Sequence, residues 1–322
     1  MEAALIEIIK SHIKRSRRVE IGIGDDAAAL APPSEKRLLF SSDAMVEGVH
    51  FDLKFTTPGD LGHKSVAAAL SDIAAMNGKP LYIVISLALR EHEPRSFVDD
   101  FYRAATKLAH SFNCEIVGGD LVRSPGGIFI DVACIGESDR PISRAGARPG
   151  DWLAVSGFPG TSAAGLYALQ TRPRENVDPE LVRAHLQPQP RFNLLKELNS
   201  HPGLCTSLTD ISDGLSTEIH HLAESSQVGF ILEEKRLPFH PKVLKLAKNE
   251  NQDALAWCLS GGEDYELLAT IDPNLVPDPL SPPKGFTIIG RAVPANEGLH
   301  LIDRLDQRRP LLNLGFNHFA SS

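Results

Sequence analysis

The sequence lacks the short motifs by which most nucleotide-binding enzymes are identified. It contains no Gly-x-x-x-x-Gly-Lys-Ser/Thr loop, and neither the His-Arg-Asp nor the Asp-Phe-Gly string of protein kinases. It also shows no convincing Ser–His–Asp constellation for nucleophilic catalysis. These absences exclude the usual P-loop and protein-kinase routes to phosphate chemistry, so a phosphate site in this chain needs other residues.

Cysteine is scarce and scattered. The four cysteines are Cys114, Cys134, Cys205 and Cys258, and no two form a Cys-x-x-Cys pair. A zinc site or a redox pair is therefore not indicated. The spacing is typical of buried thiols in a reducing compartment, which predicts a cytoplasmic protein.

Long hydrophobic runs are also missing. The longest apolar stretch, Leu81 to Leu89, is interrupted by Ser86 and has about half the length of a membrane span. It predicts a buried strand. The N-terminus carries Glu2 and Glu7 and lacks the apolar core of a signal peptide, so neither a membrane nor secretion is expected.

Positive charge is in deficit, with a formal net charge of −8. One basic run, Lys14 to Arg18, raises the alternative of a nucleic-acid patch. Because the run is isolated in an acidic chain, a solvated helix end is the favoured interpretation and no nucleic-acid partner is predicted.

The length of 322 residues, with 42% hydrophobic and 23% charged residues, is typical of two globular domains. A stretch rich in Arg, Gly and Pro, from Arg140 to Asp151, predicts the linker between them. The expected domains are therefore 1–139 and 140–322. The mixed helix and strand patterns predict an α/β or α+β fold in each, and periodicity alone does not choose between the two.

Local patterns predict the individual elements. Helices are expected over 2–14, 57–76, 94–112 and 160–169, and after Gly214, where Leu215, Ile219 and Leu222 form an apolar stripe. Strands are expected over 38–42, 81–89, 115–117, 127–136, 152–156, 206–210, 265–271 and 286–291. The proline-rich segment 171–191 is interpreted as a second linker.

What the chain does have is a set of aspartate clusters, several of them placed where a predicted strand ends. They are Gly24-Asp25-Asp26, Ser41-Ser42-Asp43, Leu70-Ser71-Asp72, Gly118-Gly119-Asp120 and Asp210-Ile211-Ser212-Asp213-Gly214. Oxygen-only ligands select hard cations such as Mg²⁺. Glycine lets a backbone approach a phosphate closely. Together the clusters predict a site where magnesium ions gather polyphosphates.

Seven strings, in order, resemble those of the thiamine-monophosphate kinase family, a branch of the aminoimidazole-ribonucleotide synthetase-like ATP enzymes. The strings span 22–28, 42–51, 70–76, 117–120, 143–151, 210–215 and 259–267. The resemblance extends from about residue 20 to Asn317-His318-Phe319. The string Ser260-Gly-Gly-Glu-Asp-Tyr-Glu-Leu267 is the most diagnostic of this branch.

This resemblance implies ATP-dependent phosphorylation of thiamine monophosphate to thiamine diphosphate in thiamine biosynthesis, with ATP as co-substrate and several Mg²⁺ ions. It also implies a two-domain aminoimidazole-ribonucleotide synthetase-like fold. Domain 1–139 is expected to bind ATP and magnesium and to pair its sheet with that of a second subunit, giving a homodimer. Domain 140–322 is expected to complete the nucleotide and substrate site.

The resemblance also implies roles for individual residues. The implied magnesium ligands are Asp26, Ser41, Ser42, Asp43, Asp72, Asp120, Asp210 and Asp213. The implied ATP contacts are Gly119, Asp120, Arg144 and Ser212. The implied substrate contacts are His50, Glu263 and Phe316. No general base is expected, because a phosphate monoester with a second pKa near ~6 is already mostly dianionic at neutral pH.

The chemistry explains why so many carboxylates are needed. Two unit charges about 4 Å apart interact by roughly 4 kcal/mol at an effective dielectric near 20, so two phosphate esters repel strongly. Phosphoryl transfer rests on positioning the reactants and neutralising this charge.

Ordinary structural roles are the alternative for each residue. An aspartate after a strand is often a turn former or helix cap, and Arg144 could be a solvated linker residue. His50 could be a turn histidine, Glu263 a local cap and Phe316 a packing residue. The chain also departs from the family pattern at Thr161, where a carboxylate is usual, and at Phe316, where tyrosine or tryptophan is usual.

Two rival functions remain. One is another enzyme of the superfamily: selenophosphate synthetase needs an early reactive cysteine, whereas none precedes Cys114. The hydrogenase-maturation relative needs a C-terminal cysteine, whereas this chain ends Ala320-Ser321-Ser322, and aminoimidazole-ribonucleotide synthetase lacks the Ser260–Leu267 signature. The other rival is a non-catalytic nucleotide-binding protein on the same scaffold, although the implied carboxylates are all present.

Overall fold

The structure is a computed structural model that describes residues 11–12, 19–21, 29–30 and 36–316. The string 22–28, with Asp25 and Asp26, lies outside the described residues, as does most of the predicted helix 2–14. Contacts divide the chain into two units. The N-terminal unit comprises 1–73 and 78–141, and the C-terminal unit comprises 74–77 and 142–322.

The N-terminal unit is built on a four-stranded sheet. Its strands are β3 (Arg37–Val46), β4 (Lys79–Leu89), β5 (Glu115–Arg123) and β6 (Phe129–Ser138), in the order β3-β6-β4-β5. Only β4 and β5 run parallel. The helices α1 (Pro58–Ala75) and α2 (Arg95–Ser111) follow β3 and β4 along the chain. Two short strands, β1 (Val19–Ile21) and β2 (Ala29–Leu30), pair with each other.

Local sequence signals fix α1 as predicted. Thr57 Oγ1 accepts a hydrogen bond from the Asp60 amide at 3.1 Å, and Asp60 Oδ2 accepts one from the Thr57 amide at 3.1 Å. This reciprocal capping box and Pro58 in the first turn start the helix. At its other end the Gly78 amide bonds to the Ile73 carbonyl at 2.9 Å. Asp72 therefore lies late on a helix, as the sequence predicted.

One face of this sheet belongs to the core. Ile128 and the β6 residues Ile130, Val132 and Cys134 are all fully buried, as expected for alternate residues that share one face of a strand. The apolar side of α2 is also buried, including Phe97, Phe101 and Leu108. The opposite face of the sheet is apolar but open in the single chain. It displays Leu38, Phe40, Val84, Val122 and Phe129, and Phe40 is 72% exposed.

The C-terminal unit has a seven-stranded sheet in the order β13-β12-β9-β11-β7-β10-β8. The strands are β7 (Trp152–Ser156), β8 (Cys205–Asp210), β9 (Val228–Glu233), β10 (Leu267–Ile271), β11 (Phe286–Pro294), β12 (Leu299–Ile302) and β13 (Arg308–Pro310). Its helices are α3 (Thr161–Thr171), α4 (Pro179–Leu186), α5 (Phe192–Leu198), α6 (Leu215–Ser226), α7 (Pro241–Glu250) and α8 (Ala254–Ser260). Short 3₁₀ helices occur at Arg174–Asn176, Glu234–Arg236 and Ala295–Glu297.

Two hydrophobic clusters make the core of this unit. One contains Leu215, Ile219 and Leu222 of α6, so the predicted apolar stripe is confirmed. The other includes Leu208 and Leu267 of neighbouring strands. All the strands described for residues 142–316 lie in one sheet, so a single sheet orders the loops at its ends.

Three sequence predictions were wrong in detail. Asp43 and Asp120 do not end their strands, because β3 continues to Val46 and β5 to Arg123. In β3 the pairing with β6 continues past Asp43 to Val46, and in β5 the pairing with β4 continues past Asp120 to Arg123. The segment 171–191 is not merely a linker either. Its Pro179 occupies the first turn of α4, where proline is favoured, and Asp178 caps that helix.

Two broader expectations, the mixed two-domain fold and the buried cysteines, are confirmed. The fold is mixed α/β in two domains, as predicted, and all four cysteines are buried and unpaired by disulfides. Among the described residues, no helix is both long enough and apolar enough to cross a membrane.

Candidate functional site

Strand β3 and helix α1 carry three of the predicted metal ligands on one side of the N-terminal sheet. Ser41 and Asp43 stand at every second position of β3, in line with the buried Leu39 and Met45. Their side chains therefore share the core-side face of the sheet. Ser41 Oγ donates a hydrogen bond to the Ala69 carbonyl of α1 at 3.4 Å. Asp72 lies three residues beyond Ala69 on the same helix and is half-buried. The structure therefore brings Ser41, Asp43 and the helical turn of Asp72 to one region.

Two other predicted ligands project from the opposite face. Ser42 Oγ donates to Asp131 Oδ1 at 2.8 Å on the open side of the sheet. The strand register aligns Asp131 with Ser86 and Ser86 with Asp120, which places Asp120 on that open side too. Neighbouring residues of a strand point to opposite faces, so the Ser42 and Asp43 side chains lie on opposite faces of the sheet within one chain.

Gly119 has a packing reason of its own. A Cβ atom at this position would lie 2.1 Å from the Ile85 carbonyl oxygen in the adjacent strand. No side chain fits there, so glycine is required for β4 and β5 to pair. Gly119 is nevertheless exposed to solvent, so its backbone is accessible to a ligand.

His50 lies in the loop that follows β3. Its Nδ1 accepts a hydrogen bond from the Val46 amide at 3.0 Å. A neutral imidazole that accepts at Nδ1 carries its proton on Nε2, which can then donate to a ligand. Lys64 of α1 donates to the His50 carbonyl at 3.5 Å and holds the loop against the helix.

In the C-terminal unit, two of the diagnostic strings are hydrogen-bonded to each other. The Ile211 amide donates to the Glu266 carbonyl at 2.8 Å, and the Tyr265 amide donates to the Ile211 carbonyl at 2.9 Å. The Glu263 amide donates to the Ser212 carbonyl at 2.6 Å. The loop after β8 and the loop before β10 therefore form one body that carries Ser212 and Glu263 together.

The end of the described chain joins the same body. The Phe316 amide donates to the Asp213 carbonyl at 3.1 Å. Thr217 Oγ1 donates to Asn313 Oδ1 at 2.7 Å. Asp213, Glu263 and Phe316, which are far apart in sequence, are thus held on adjoining loops.

The two loops approach each other closely, and the loop of Glu263 contains residues with unusual backbone angles. A Cβ atom on Gly262 would lie 2.4 Å from the Ser212 carbonyl oxygen, so only glycine lets the loops meet. Glu263 and Tyr265 adopt left-handed φ angles of 62° and 51°. Non-glycine residues rarely occupy this region, and such strain is concentrated at binding and catalytic sites.

A buried carboxylate that the sequence analysis missed lies beside the predicted nucleotide contacts. Glu218 of α6 has a fully buried side chain. Its Oε2 lies 3.7 Å from Arg144 Nη2 and 3.1 Å from His221 Nδ1. Ser212 Oγ lies 3.5 Å from Oε1, and Thr209 Oγ1 lies 3.4 Å from Oε2. The hydrogen bond to Glu218 raises the pKa of His221 above its ordinary value.

A signal for Glu218 was present in the sequence. It falls on the same helical stripe as Leu215 and Leu222, at spacings of three and four residues. An acidic residue on a buried apolar stripe needs partners, because burying a lone carboxylate is costly. That pattern could have indicated a polar cluster beneath the Asp210–Gly214 loop.

Preformed metal cages are not seen. Within residues that the structure describes, no three His, Cys, Asp or Glu side chains are grouped closely enough to hold a metal ion. Asp210 is buried at the end of β8, and Asp213 is half-buried in the following loop. All the predicted ligands offer oxygen donors, which fits Mg²⁺ rather than a thiophilic metal.

Asp264, next to Glu263, caps a helix from a distance. Its Oδ2 accepts from the Gly160 amide at 2.7 Å, and its Oδ1 accepts from the Ser162 amide at 3.0 Å. These amides lie at the start of α3, whose first residue is Thr161. Asp264 therefore supplies the two oxygens that accept hydrogen bonds from the amides at this helix N-terminus.

Burial raises the pKa of Asp264 to about 7. In the unfolded chain the group titrates near its ordinary value, 3.8. Between about pH 4 and pH 7, Asp264 is therefore protonated in the folded protein but ionised in the unfolded chain. Its contribution to the free energy of unfolding falls as the pH rises through this range. We expect the free energy of unfolding, relative to Asp264→Asn, to be larger at pH 5 than at pH 8.

Urea denaturation at the two pH values measures this difference. Asp253→Asn, which alters an exposed cap of α8, is the matched control and should show no such pH dependence. Parallel pH profiles for wild type and Asp264→Asn contradict the assignment.

Glu266 and His185 complete the polar interior of this region. Glu266 is bound by both Arg191 Nε at 2.8 Å and Arg191 Nη2 at 2.5 Å, and it accepts a hydrogen bond from Ser156. The buried His185 lies with its Nδ1 3.6 Å from Glu263 Oε2 and 3.1 Å from Ser162 Oγ. These contacts support the loop that carries Glu263.

Comparison with known proteins assigns both halves of the chain. Residues 24–138 match the family model for AIR synthase related protein, N-terminal domain, and residues 148–277 match that for its C-terminal domain. The thiamine-monophosphate kinase of Escherichia coli strain K12 is 36% identical over 329 residues, which cover 99% of this chain and 98% of that protein.

Solved structures agree. One described as AaThiL complexed with AMPPCP and TMP matches with a TM-score of 0.80 at 33% identity, covering 99% of this chain and 97% of that chain. The hydrogenase maturation protein HypE of Escherichia coli matches with a TM-score of 0.79 at 22% identity, covering 99% and 98% of the two chains. The second likeness shows a shared fold only.

Proposed function

The chain belongs to the thiamine-monophosphate kinase family, and on that premise we propose that it transfers the γ-phosphoryl group of ATP directly to the phosphate of thiamine monophosphate. Its class is phosphotransferase. The full-length identity of 36% to a relative of that name is the observation that carries the proposal. The AaThiL structure with AMPPCP, an ATP analogue, and TMP supports the same two substrates.

The proposed nucleotide contacts are Gly119, Asp120, Arg144 and Ser212. Arg144 suits a phosphate because its planar guanidinium can form two parallel hydrogen bonds. Its side chain is 46% exposed, so donors remain accessible to a ligand. For the thiamine half we propose His50, Glu263 and Phe316, with the acidic Glu263 facing the cationic ring system.

Magnesium is proposed as the resident metal, held by Asp43, Asp72, Asp120, Asp210 and Asp213, with Asp26, Ser41 and Ser42 as further ligands. When bound, it neutralises charge on the phosphate oxygens. Mg²⁺ usually takes one or two carboxylates together with substrate phosphates and water. The side chains of Ser42 and Asp43 lie on opposite faces of the sheet. Ser42 would therefore share a metal with Asp43 through its backbone, or its side chain would serve a site completed by another chain. No side chain is assigned as a general base.

Thiamine diphosphate formation from ATP and thiamine monophosphate tests the proposal. Purified protein with Mg²⁺ should yield one ADP for each thiamine diphosphate, measured by chromatography, and excess EDTA should stop the reaction. ATP consumption with hydrogenase-maturation substrates instead of thiamine monophosphate would favour the superfamily rival. Nucleotide binding without any product would favour the non-catalytic alternative.

A homodimer is proposed from the open sheet face of the N-terminal unit. This face displays Leu38, Phe40, Val84, Val122 and Phe129. Contiguous exposed apolar surfaces of this kind mark association sites. A second copy pairing sheet to sheet would cover them, and would bring the open-side residues Ser42 and Asp120 into the interface.

The buried free thiols support a reducing, cytoplasmic location.

Phe40→Glu tests this face. The charge would have to be buried without a partner in the dimer, so we expect the variant to be a monomer at micromolar concentration. Light scattering should then give the chain mass of 35.0 kDa, whereas wild type should give twice that mass. The control is Leu280→Glu, which introduces the same charge at an exposed apolar residue of the C-terminal unit and should stay dimeric. A wild-type monomer contradicts the proposal.

A further inference from the structure

The carboxylate of Glu218 is the most completely buried charge beside the proposed nucleotide site. Its side chain has no solvent exposure, and it lies on the buried side of a helix together with Leu215, Ile219 and Leu222. A buried carboxylate is costly unless charged and polar partners surround it. It is met here by the guanidinium of Arg144, the imidazole of His221 and two hydroxyls, on Thr209 and Ser212.

We propose that Glu218 is a positioning residue that holds Arg144 and Ser212 ready for the phosphates of ATP. The inference rests on the proposed function, because Arg144 and Ser212 are the residues assigned there to the nucleotide. Glu218 itself does not touch the ligand. It acts through the two side chains that it orients.

The geometry of Arg144 carries the argument. Its Nε donates to Thr209 Oγ1 at 3.0 Å, and its Nη2 faces Glu218 Oε2 at 3.7 Å. The guanidinium has five N–H donors in a rigid plane, so two contacts fix the plane and leave donors for a phosphate. Because an arginine held in place loses less freedom on binding, the ordering cost is met before ATP arrives.

Ser212 is fixed by the same carboxylate. Its hydroxyl lies 3.5 Å from Glu218 Oε1, while its carbonyl accepts the Glu263 amide at 2.6 Å. One oxygen of Glu218 thus faces Ser212 and the other faces Arg144. Loss of this carboxylate should disturb both nucleotide contacts while leaving the proposed thiamine contacts in place.

Glu218→Gln removes the charge but keeps the size of the side chain. We expect AMPPCP binding with Mg²⁺ to weaken, and kcat/KM for ATP to fall, by about ten- to hundred-fold, the range typical of supporting-residue changes. The KM for thiamine monophosphate should change little. Glu218→Asp keeps the charge and should recover part of the affinity. Glu224→Gln, the same change on an exposed turn of α6, should leave affinity unchanged.

A double-mutant cycle separates positioning from a general loss of structure. Since Arg144 is one of the two side chains through which Glu218 acts, Glu218→Gln should cost less in an Arg144→Ala background than in wild type. Fully multiplicative effects, or an unchanged Kd for AMPPCP in Glu218→Gln, overturn the inference. If Glu218→Gln does not fold, Glu218→Asp in the same cycle gives the same comparison.

Failure of the proposed function has a different signature. A wild-type protein that forms no thiamine diphosphate refutes the substrate assignment, whereas calorimetric titration with AMPPCP still measures the effect of Glu218. The two outcomes are therefore independent.

Discussion

Replacing Asp43 with asparagine is expected to lower kcat for thiamine diphosphate formation by about a thousand-fold, equivalent to about 4 kcal/mol of lost transition-state stabilisation. The side chain keeps its shape but loses the charge that would hold Mg²⁺ against the phosphates. Asp43 lies mid-strand between Ser42 and Ala44, with β6 paired alongside, so the backbone has no reason to change. Steady-state assays at several Mg²⁺ concentrations measure the loss.

The control for this variant is Asp100→Asn. Asp100 is an exposed carboxylate on α2 that pairs only with surface arginine among the contacts described for it, so its loss should leave the rate unchanged. Circular dichroism and melting curves should show both variants folded. Near-normal turnover of Asp43→Asn at saturating Mg²⁺ contradicts the metal assignment.

Replacing Arg191 with methionine is expected to destabilise the C-terminal unit by about 2–3 kcal/mol, because it leaves the Glu266 carboxylate buried without its cation. Breaking a fully buried pair costs more, but the Arg191 side chain is 33% exposed and solvent screens part of the interaction. The melting temperature should fall by roughly 4–12 °C, given about 2–4 °C per kcal/mol for a unit of this size. Differential scanning calorimetry measures the shift.

The second substitution in the pair tests the cause. Adding Glu266→Leu to Arg191→Met removes the stranded charge, so the double variant should regain most of the lost stability. Arg103→Met, which breaks an exposed pair on α2, should change stability by less than about 0.5 kcal/mol. A single variant as stable as wild type, or a double variant less stable than the single, excludes a charge effect.

Much of the fold was predictable because its signals are local. The capping of α1 by Thr57 and Pro58, the alternation of β6 and the apolar stripe of α6 depend on residues within one or two turns of each other. The helix α4 was missed because its prolines are equally typical of a linker. Only its packing and the Asp178 cap distinguish the two.

The site divides in the same way. The loop glycines and aspartates were predicted as a set from the family resemblance, and their roles remain a proposal. The position of Asp43 and Asp120 inside their strands was not predicted. The strands β3 and β5 continue past these residues because the neighbouring strands pair with their backbones. The split of Ser42 and Asp43 between two faces follows from that extension.

The sequence by itself determined the family and the two-domain mixture of helices and strands, because these depend on residue types, their order and local periodicity. It also led to the prediction of an acidic metal site with oxygen donors. The tertiary structure alone decided which side chains meet. It placed Glu218 beneath Arg144 and Ser212, and Asp264 at the start of α3. These contacts join residues that are from about 6 to 104 positions apart in the sequence. Local sequence patterns do not predict which distant segments the folded chain brings together.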